Sequence, residues 1–331
     1  MTEKASAYID LERCFQWMDG KGCHAPVNNS LTKLDALPLD PAVLQRVPFL
    51  AARGTAAWQA EPIGSVTNQT YRVTAGDESY VVRVAGPTTR YLDRAVEAHN
   101  AAIAAELGLA PPILFLDDRL LVTRFVTGAR PLAQDDLDDR ERLLQVGALL
   151  ARLQRSDRPF ASERHPFGEI DRYLGQHAHP RAVALRTAAQ PVEAALKRSA
   201  LPLVPAHIDA GAANFLLAAD GALLLVDWEF SSMADPAWDI ASILMQCSAD
   251  DDEPARQFVA AILGEAGEGT TARLALFKAA LTLVAGSWCA MEAASRRDSA
   301  LMRIADNYLD RCAGLLSDPR MGHWLRTVTT A

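Results

Sequence analysis

The sequence predicts an α+β protein of two lobes, a small β-rich lobe followed by a large helical one. Three observations carry this expectation. β-rich runs at 66–73, 80–84, 113–115 and 120–125 all fall in the first part of the chain. After Gly128 the pattern is almost wholly helical. With 331 residues, 50% of them hydrophobic, the chain is long enough to bury two packed cores.

Residues 1–47 hold scattered polar residues, Gly20, Gly22 and an Asn28-Asn29-Ser30 turn signal, and read as an N-terminal extension of unknown role. Residues 48–128 form the expected N-terminal lobe. Its first two strands are separated by the hairpin signal Ala75-Gly76-Asp77. Arg94 to Leu107 is Ala-rich and helical, and Gly108 is a good stop. The later strands flank Asp117-Asp118. Residues 129–331 form the expected helical lobe, with helices at 136–155, 169–177, 182–199, 237–249, 254–265, 271–294 and 299–316. Its single expected strand pair lies between Asn214 and Asp227.

Composition narrows the function classes. A formal charge of −8 argues against nucleic acid as a partner, because phosphate binding draws on clustered Lys and Arg. The five cysteines, Cys14, Cys23, Cys247, Cys289 and Cys312, are odd in number and lack metal-knuckle spacing. Cys14 and Cys23 with His24 want a fourth ligand, so reduced thiols are expected. His177 and His179 read as surface-loop residues, and Asp135 to Arg142 as a solvated helix start. Met1 to Ala5 begins no signal-like apolar run, and no stretch approaches the ~20 apolar residues of a membrane span. A soluble, cytoplasmic protein is expected, its oligomeric state open.

The chemistry concentrates in His207-Ile208-Asp209-Ala210-Gly211-Ala212-Ala213-Asn214 and in Asp227-Trp228-Glu229. Asp220-Gly221 is a strong hairpin signal. If those two residues form the loop, Asn214 and Asp227 stand opposite each other; a longer loop around Ala218–Gly221 shifts that register. Asp209, Asn214 and Asp227 offer only oxygen ligands, which suit Mg²⁺ better than softer metals. Phosphoryl transfer needs such a set: a carboxylate for the hydroxyl proton, and an Asn and an Asp to hold metal against phosphates. Taken singly, Asp209 could cap a turn and Asp227 could end a strand.

The N-terminal lobe offers matching features. Ile63-Gly64-Ser65-Val66-Thr67-Asn68 is a turn that could place N–H groups over phosphates, or a simple hairpin turn. Arg83 is a cation inside the apolar run Tyr80 to Val84, and its burial demands a partner. Glu97, on the following helix, is the natural one.

His-x-Asp-x4-Asn, with an Asp thirteen residues later, resembles the catalytic and metal motifs of the protein-kinase-like fold. The version here is similar to the aminoglycoside phosphotransferase and choline kinase superfamily. Asp227-Trp228-Glu229-Phe230, leading to Trp238-Asp239-Ile240, resembles its choline/ethanolamine kinase branch. So do Arg83, where protein kinases carry Lys, and Asp-Arg-x-x-Glu at 93–97. The likeness covers roughly residues 58 to 316.

The resemblance implies ATP and Mg²⁺ as cofactors and the hydroxyl of choline or a similar amino-alcohol as acceptor. It implies Asp209 as catalytic base, Asn214 and Asp227 as Mg²⁺ ligands, and His207 and Asp239 as structural braces. Gly64, Ser65, Thr67, Asn68, Arg83 and Glu97 would serve ATP. Glu229, Phe230, Trp288 and Tyr308 would serve the acceptor, the aromatics by cation–π attraction. Gln246 and Glu229 are hydrogen-bond acceptors for a primary ammonium. Ala285 stands where family members can carry a second Trp. Ethanolamine, an aminoglycoside or a sugar is the alternative acceptor. A nucleotide-binding interaction module without turnover is the alternative of another class.

Overall fold

The computed structural model describes residues 38–54, 58–63, 68–85, 92–249, 252–264 and 267–328. Residues 1–37, with Cys14, Cys23 and His24, lie outside it.

Two short helices come first, α1 (Pro41–Gln45) and α2 (Pro48–Ala51), each opened by a proline whose missing N–H costs nothing there. Asp40 caps α1 by accepting from the Ala42 N–H at 2.9 Å. Leu44, Val47 and Leu50 are buried in one core with Tyr71, Val73, Tyr80, Val82 and Val122. Residues 41–47 therefore belong to the N-terminal lobe and not to an extension. Helices this short carry too little periodicity to stand out in the sequence.

The lobe's sheet is antiparallel, with β1 (Trp58–Pro62), β2 (Gln69–Ala75), β3 (Glu78–Val84), β4 (Ile113–Leu116) and β5 (Leu120–Arg124) in the order β1-β2-β3-β5-β4. Gly76 turns β2 into β3 at φ +65°, where a side chain would be strained. Helix α3 (Arg94–Glu106) follows, capped by Asp93. Its buried Ala101, Ile103 and Ala104 pack into the core of the helical lobe, so α3 joins the two lobes.

The larger lobe contains β6 (Arg130–Pro131), α4 (Arg140–Gln154), α5 (Pro166–Gln176), α6 (Pro180–Ala188), α7 (Gln190–Arg198) and β7 (Val204–Ala206). It continues with β8 (Phe215–Leu217), β9 (Leu223–Leu225), β10 (Ser232–Ala234), α8 (Ala237–Leu244), α9 (Glu253–Leu263), α10 (Glu268–Arg296), α11 (Ser299–Leu316) and α12 (Met321–Thr327). The helix expected over 182–199 is two helices. Pro191 sits in the first turn of α7, where its ring and missing N–H forbid a continuous helix. The strand pair is not alone either: β6 extends it through β8, and β7 pairs with β10. Strands of two or three residues carry no readable alternation.

Helix α10 revises one expectation. An 18-residue window within it is apolar enough to cross a membrane, with mean hydropathy 1.6, yet 72% of that window is buried inside the protein. Its neighbours are α5, α8, α11 and α12. The approach of α11 depends on Gly286, where an added Cβ would lie 2.8 Å from Leu309 Cδ2 and 3.3 Å from Tyr308 Cβ. Leu309 is fully buried and has little room to yield. Gly286→Val is expected to destabilise the protein by about 1–3 kcal/mol through overpacking, read as a drop of several degrees in Tm. An unchanged melt would mean that α11 can shift freely.

Candidate active site

Strand β7 delivers the chain into His207, and the loop that follows is pinned from below. Asp239, fully buried in the first turn of α8, accepts from the His207 N–H at 2.7 Å and the Ile208 N–H at 2.8 Å. Trp238 Nε1 donates to the Ile208 carbonyl at 2.9 Å. These bonds hold Ile208 at φ +73°, a costly conformation for a β-branched residue. His207 Nε2 donates to the Val226 carbonyl at 2.9 Å, and its ring meets the edge of Trp228 with centroids 4.8 Å apart. Burial lowers the His207 pKa to about 4, so the ring stays neutral and braces the loop. Burial raises Asp239 to about 6, against the pull of its two N–H donors. Gln246, expected as an acceptor for an ammonium, instead takes the Ala212 N–H at 3.0 Å and donates to the Ser242 carbonyl at 2.8 Å. It is a third brace of the loop, and nothing in its sequence context marked it as one.

Asn214 closes the loop. Its Nδ2 donates to the Asp209 carbonyl at 2.8 Å and to Asp209 Oδ2 at 3.1 Å. The β8–β9 hairpin pairs Phe215 with Leu225 and Leu217 with Leu223, its loop closed by Ala218 N–H to the Ala222 carbonyl at 2.8 Å. This is the longer loop, so Asn214 faces Val226, whose N–H donates to its carbonyl at 2.9 Å. Asp227 stands one position further on, at φ +66°. Packed surroundings first, then the charges of Asp227 and Glu229, raise the Asp209 carboxyl above the usual carboxylate range, while Asn214 opposes them. Asp209 is nonetheless exposed to solvent, which moderates that rise.

Asp227 meets the other lobe through Arg83. Arg83 Nη1 lies 2.5 Å from Asp227 Oδ1 and 3.8 Å from Glu229 Oε2, and Nη2 is ion-paired with Glu97. Arg94, which sequence reasoning left without a role, joins the same cluster. Its guanidinium reaches Glu97 Oε2 at 2.5 Å, Glu229 Oε2 at 3.4 Å and Asn68 Oδ1 at 2.8 Å. The signal was present: Arg94 lies three residues before Glu97, on one helix face. Asn68 Nδ2 donates to Glu229 Oε2 at 2.7 Å. Glu229, expected beside the acceptor, is thus buried between the lobes with Asn68 and Arg94. Gly64, Ser65 and Thr67 lie outside the described residues.

An apolar cavity continues from Arg83 and Asp227, walled by Val81 and Leu121 of the sheet and by Ile113, Leu225 and Val226. The chain between the lobes passes through Phe125, whose N–H donates to the Ser79 carbonyl at 3.0 Å. An apolar cavity ending in charged groups suits a nucleotide base with its phosphates.

The charge balance suits a cation. Glu97, Asp209, Asp227 and Glu229 face two guanidiniums, those of Arg83 and Arg94, among the described residues. The donors at hand are oxygens, those of Asp209, Asn214, Asp227 and Glu229. That fits Mg²⁺, which keeps waters and substrate phosphates as ligands, better than a caged transition metal.

Of the residues expected at the acceptor, Phe230 is half-buried with the Arg164 guanidinium 5.7 Å from its ring centroid. Trp288 and Tyr308 each pack against the apolar cluster of Cys289, Ala290, Ala293, Leu301 and Ala305, between α10 and α11.

The pinned loop gives a direct test. Asp239→Ala strands two buried N–H groups and is expected to cost roughly 2–5 kcal/mol in urea unfolding. A loss below about 1 kcal/mol would mean that water replaces the carboxylate and that the brace is dispensable.

Known proteins share this architecture. The model of the phosphotransferase enzyme family matches residues 59–277. Protein LicA of Haemophilus influenzae is 30% identical over 193 residues, covering 55% of this chain and 56% of LicA, so the chain matches little more than half of that relative's length. A choline/ethanolamine kinase family protein from Mesorhizobium loti superposes with a TM-score of 0.74 at 27% identity, over 88% of this chain and 98% of that one. Choline kinase LicA from Streptococcus pneumoniae superposes with a TM-score of 0.70 at 22% identity, over 78% of this chain and 93% of that one. The two lobes are those of a protein-kinase-like fold. With the family model matched across well over half its length, the chain belongs to the phosphotransferase enzyme family.

Proposed function

We propose that this phosphotransferase transfers the γ-phosphoryl group of ATP to the hydroxyl of a small amino-alcohol, choline or ethanolamine. The observation that carries the proposal is Arg83, held by Glu97, meeting Asp227 at the end of an apolar cavity, while Asp209, hydrogen-bonded by Asn214, feels the Asp227 charge. The names of the similar structures, a choline kinase and a choline/ethanolamine kinase family protein, support the acceptor class.

In this reading Asp209 accepts a hydrogen bond from the acceptor hydroxyl and takes its proton as the phosphoryl group leaves ATP. A carboxylate whose pKa is raised toward the working pH is a stronger base and takes that proton less steeply uphill, yet can still release it afterwards. The Asn214 amide steers the Asp209 carboxylate by donating to it. Arg83, held by Glu97, offers a planar fork to phosphate oxygens, and Arg94 adds positive charge beside it. Bound Mg²⁺, for which Asn214 and Asp227 are the proposed ligands, would neutralise phosphate charge. The lobes are proposed to meet near residue 128, with the adenine against the segment 125–130.

Asp209→Asn is expected to lower kcat by about 10²–10⁴ while ATP affinity holds, because the amide keeps the shape and loses the base. A fall in kcat of less than about tenfold would remove Asp209 from that role. The acceptor is tested with a panel of choline, ethanolamine, their methylated intermediates, kanamycin and simple sugars under Mg-ATP. Preferred turnover of an amino-alcohol is expected. An aminoglycoside or sugar turned over far better would overturn the acceptor assignment and leave the phosphotransferase reading intact.

A further inference from the structure

The segment before α5 is fastened beside Phe230 by its backbone. Met233 N–H donates to the Ser162 carbonyl and Arg164 N–H donates to the Met233 carbonyl, both at 3.0 Å. Ser162 Oγ and Ser232 Oγ lie 3.0 Å apart, and Phe160 N–H points to Met233 Sδ at 3.2 Å. Arg164 is therefore held within a few residues of the turn that carries Phe230. Its side chain is 12% exposed, with Nη1 on Glu169 Oε2 at 2.6 Å and the guanidinium carbon 5.7 Å from the Phe230 ring centroid. That spacing is within cation–π range.

Glu169 also takes Arg172 and the Tyr173 hydroxyl, the latter at 3.2 Å, so two guanidiniums share one carboxylate. Arg164 Nε is buried without a hydrogen-bond partner among the described residues. Helix α5, which carries Glu169 and Arg172, packs along α10, which carries Trp288. The Arg164 guanidinium thus stands against one of the aromatic rings proposed to receive the acceptor.

We infer that Arg164 is a specificity-determining residue: its guanidinium covers the Phe230 ring and takes the cation–π position an acceptor ammonium would otherwise fill. This rests on the reading of Phe230 as part of the acceptor site. A trimethylammonium group has no N–H and depends on ring faces, whereas a primary ammonium can also donate hydrogen bonds. Covering Phe230 therefore penalises choline more than ethanolamine, and removing the Arg164 charge shifts selectivity toward choline.

The test pairs a binding measurement with kinetics. Tetramethylammonium is titrated by calorimetry into wild type, Arg164→Gln, Arg164→Lys and the double variant Arg164→Gln/Phe230→Leu. Arg164→Gln keeps a donor for Glu169, which also retains Arg172 and Tyr173, so the segment keeps its anchors. Arg164→Gln is expected to bind roughly three- to tenfold tighter than wild type, the size of one partly desolvated cation–π contact. Arg164→Lys, still charged, should bind as wild type does, and the double variant should lose the gain. In steady state, the ratio of kcat/KM for choline over ethanolamine should rise by a similar factor in Arg164→Gln. Unchanged, weaker or absent binding in Arg164→Gln overturns the inference, as does a gain that survives loss of Phe230. If neither wild type nor Arg164→Gln phosphorylates any amino-alcohol while another acceptor is turned over, the acceptor reading fails alone. The titration then still decides the role of Arg164.

Discussion

Arg83 leaves the middle of an apolar strand and enters a buried group of carboxylates drawn from both lobes. A guanidinium in that position is tolerable only if its charge and donors are met, and Glu97, Asp227 and Glu229 meet them. The pairing fixes more than one side chain. Strand β3 belongs to the core of the small lobe, α3 packs into the core of the large one, and Asp227 and Glu229 sit just after β9. Their mutual position is therefore set where the ionic cluster lies. Removing one partner from such a cluster typically costs about 3–5 kcal/mol, because a buried charge is left uncompensated.

The cluster also carries more negative charge than its two guanidiniums balance, and that excess sits beside Asp209. A fold optimised for stability alone would have little reason to keep it. The same holds for the backbone, where Ile208 and Asp227 both take the left-handed region that favours glycine. Asp239 and Trp238 hold the first of these from beneath, and the Arg83 contact holds the second. Rigid support of this kind is what holding the proposed catalytic carboxylate within a fraction of an ångström requires. Beside Phe230, Arg164 is just as firmly anchored, so the proposed selectivity would belong to the scaffold and not to a mobile surface arginine.

What could be read from the sequence depended on whether a residue's partner was nearby or dictated by its own chemistry. Arg83 announced its need for an anion because it interrupts an apolar run, and Glu97 lay one helix away. The loop 207–214 was legible through its spacing, although the register of the following hairpin was not, since it turned on whether the loop held two residues or more. Glu229 was assigned to the acceptor because its partners are remote: Asn68 is 161 residues away in sequence and Arg94 is 135. Gln246 and Arg164 were opaque for the same reason. Their roles come from the Ala212 N–H and the Phe230 ring, contacts that only the assembled lobe creates. The short α1, α2, β7 and β10 were missed because three to five residues cannot display a period, and tertiary pairing, not local preference, forms them.

If unbalanced carboxylates beside Arg83 are there to receive a metal–nucleotide pair, nucleotide binding and Mg²⁺ must be coupled through Asp227. Calorimetric titration of ATP with and without Mg²⁺, in wild type and in Asp227→Ala, measures that coupling directly. Wild type should bind ATP at least about tenfold more tightly with Mg²⁺ than without, a coupling of ~1.4 kcal/mol, and Asp227→Ala should lose most of the difference. Equal ATP affinity in wild type with and without Mg²⁺ would contradict the assignment of this cluster as the metal–phosphate site.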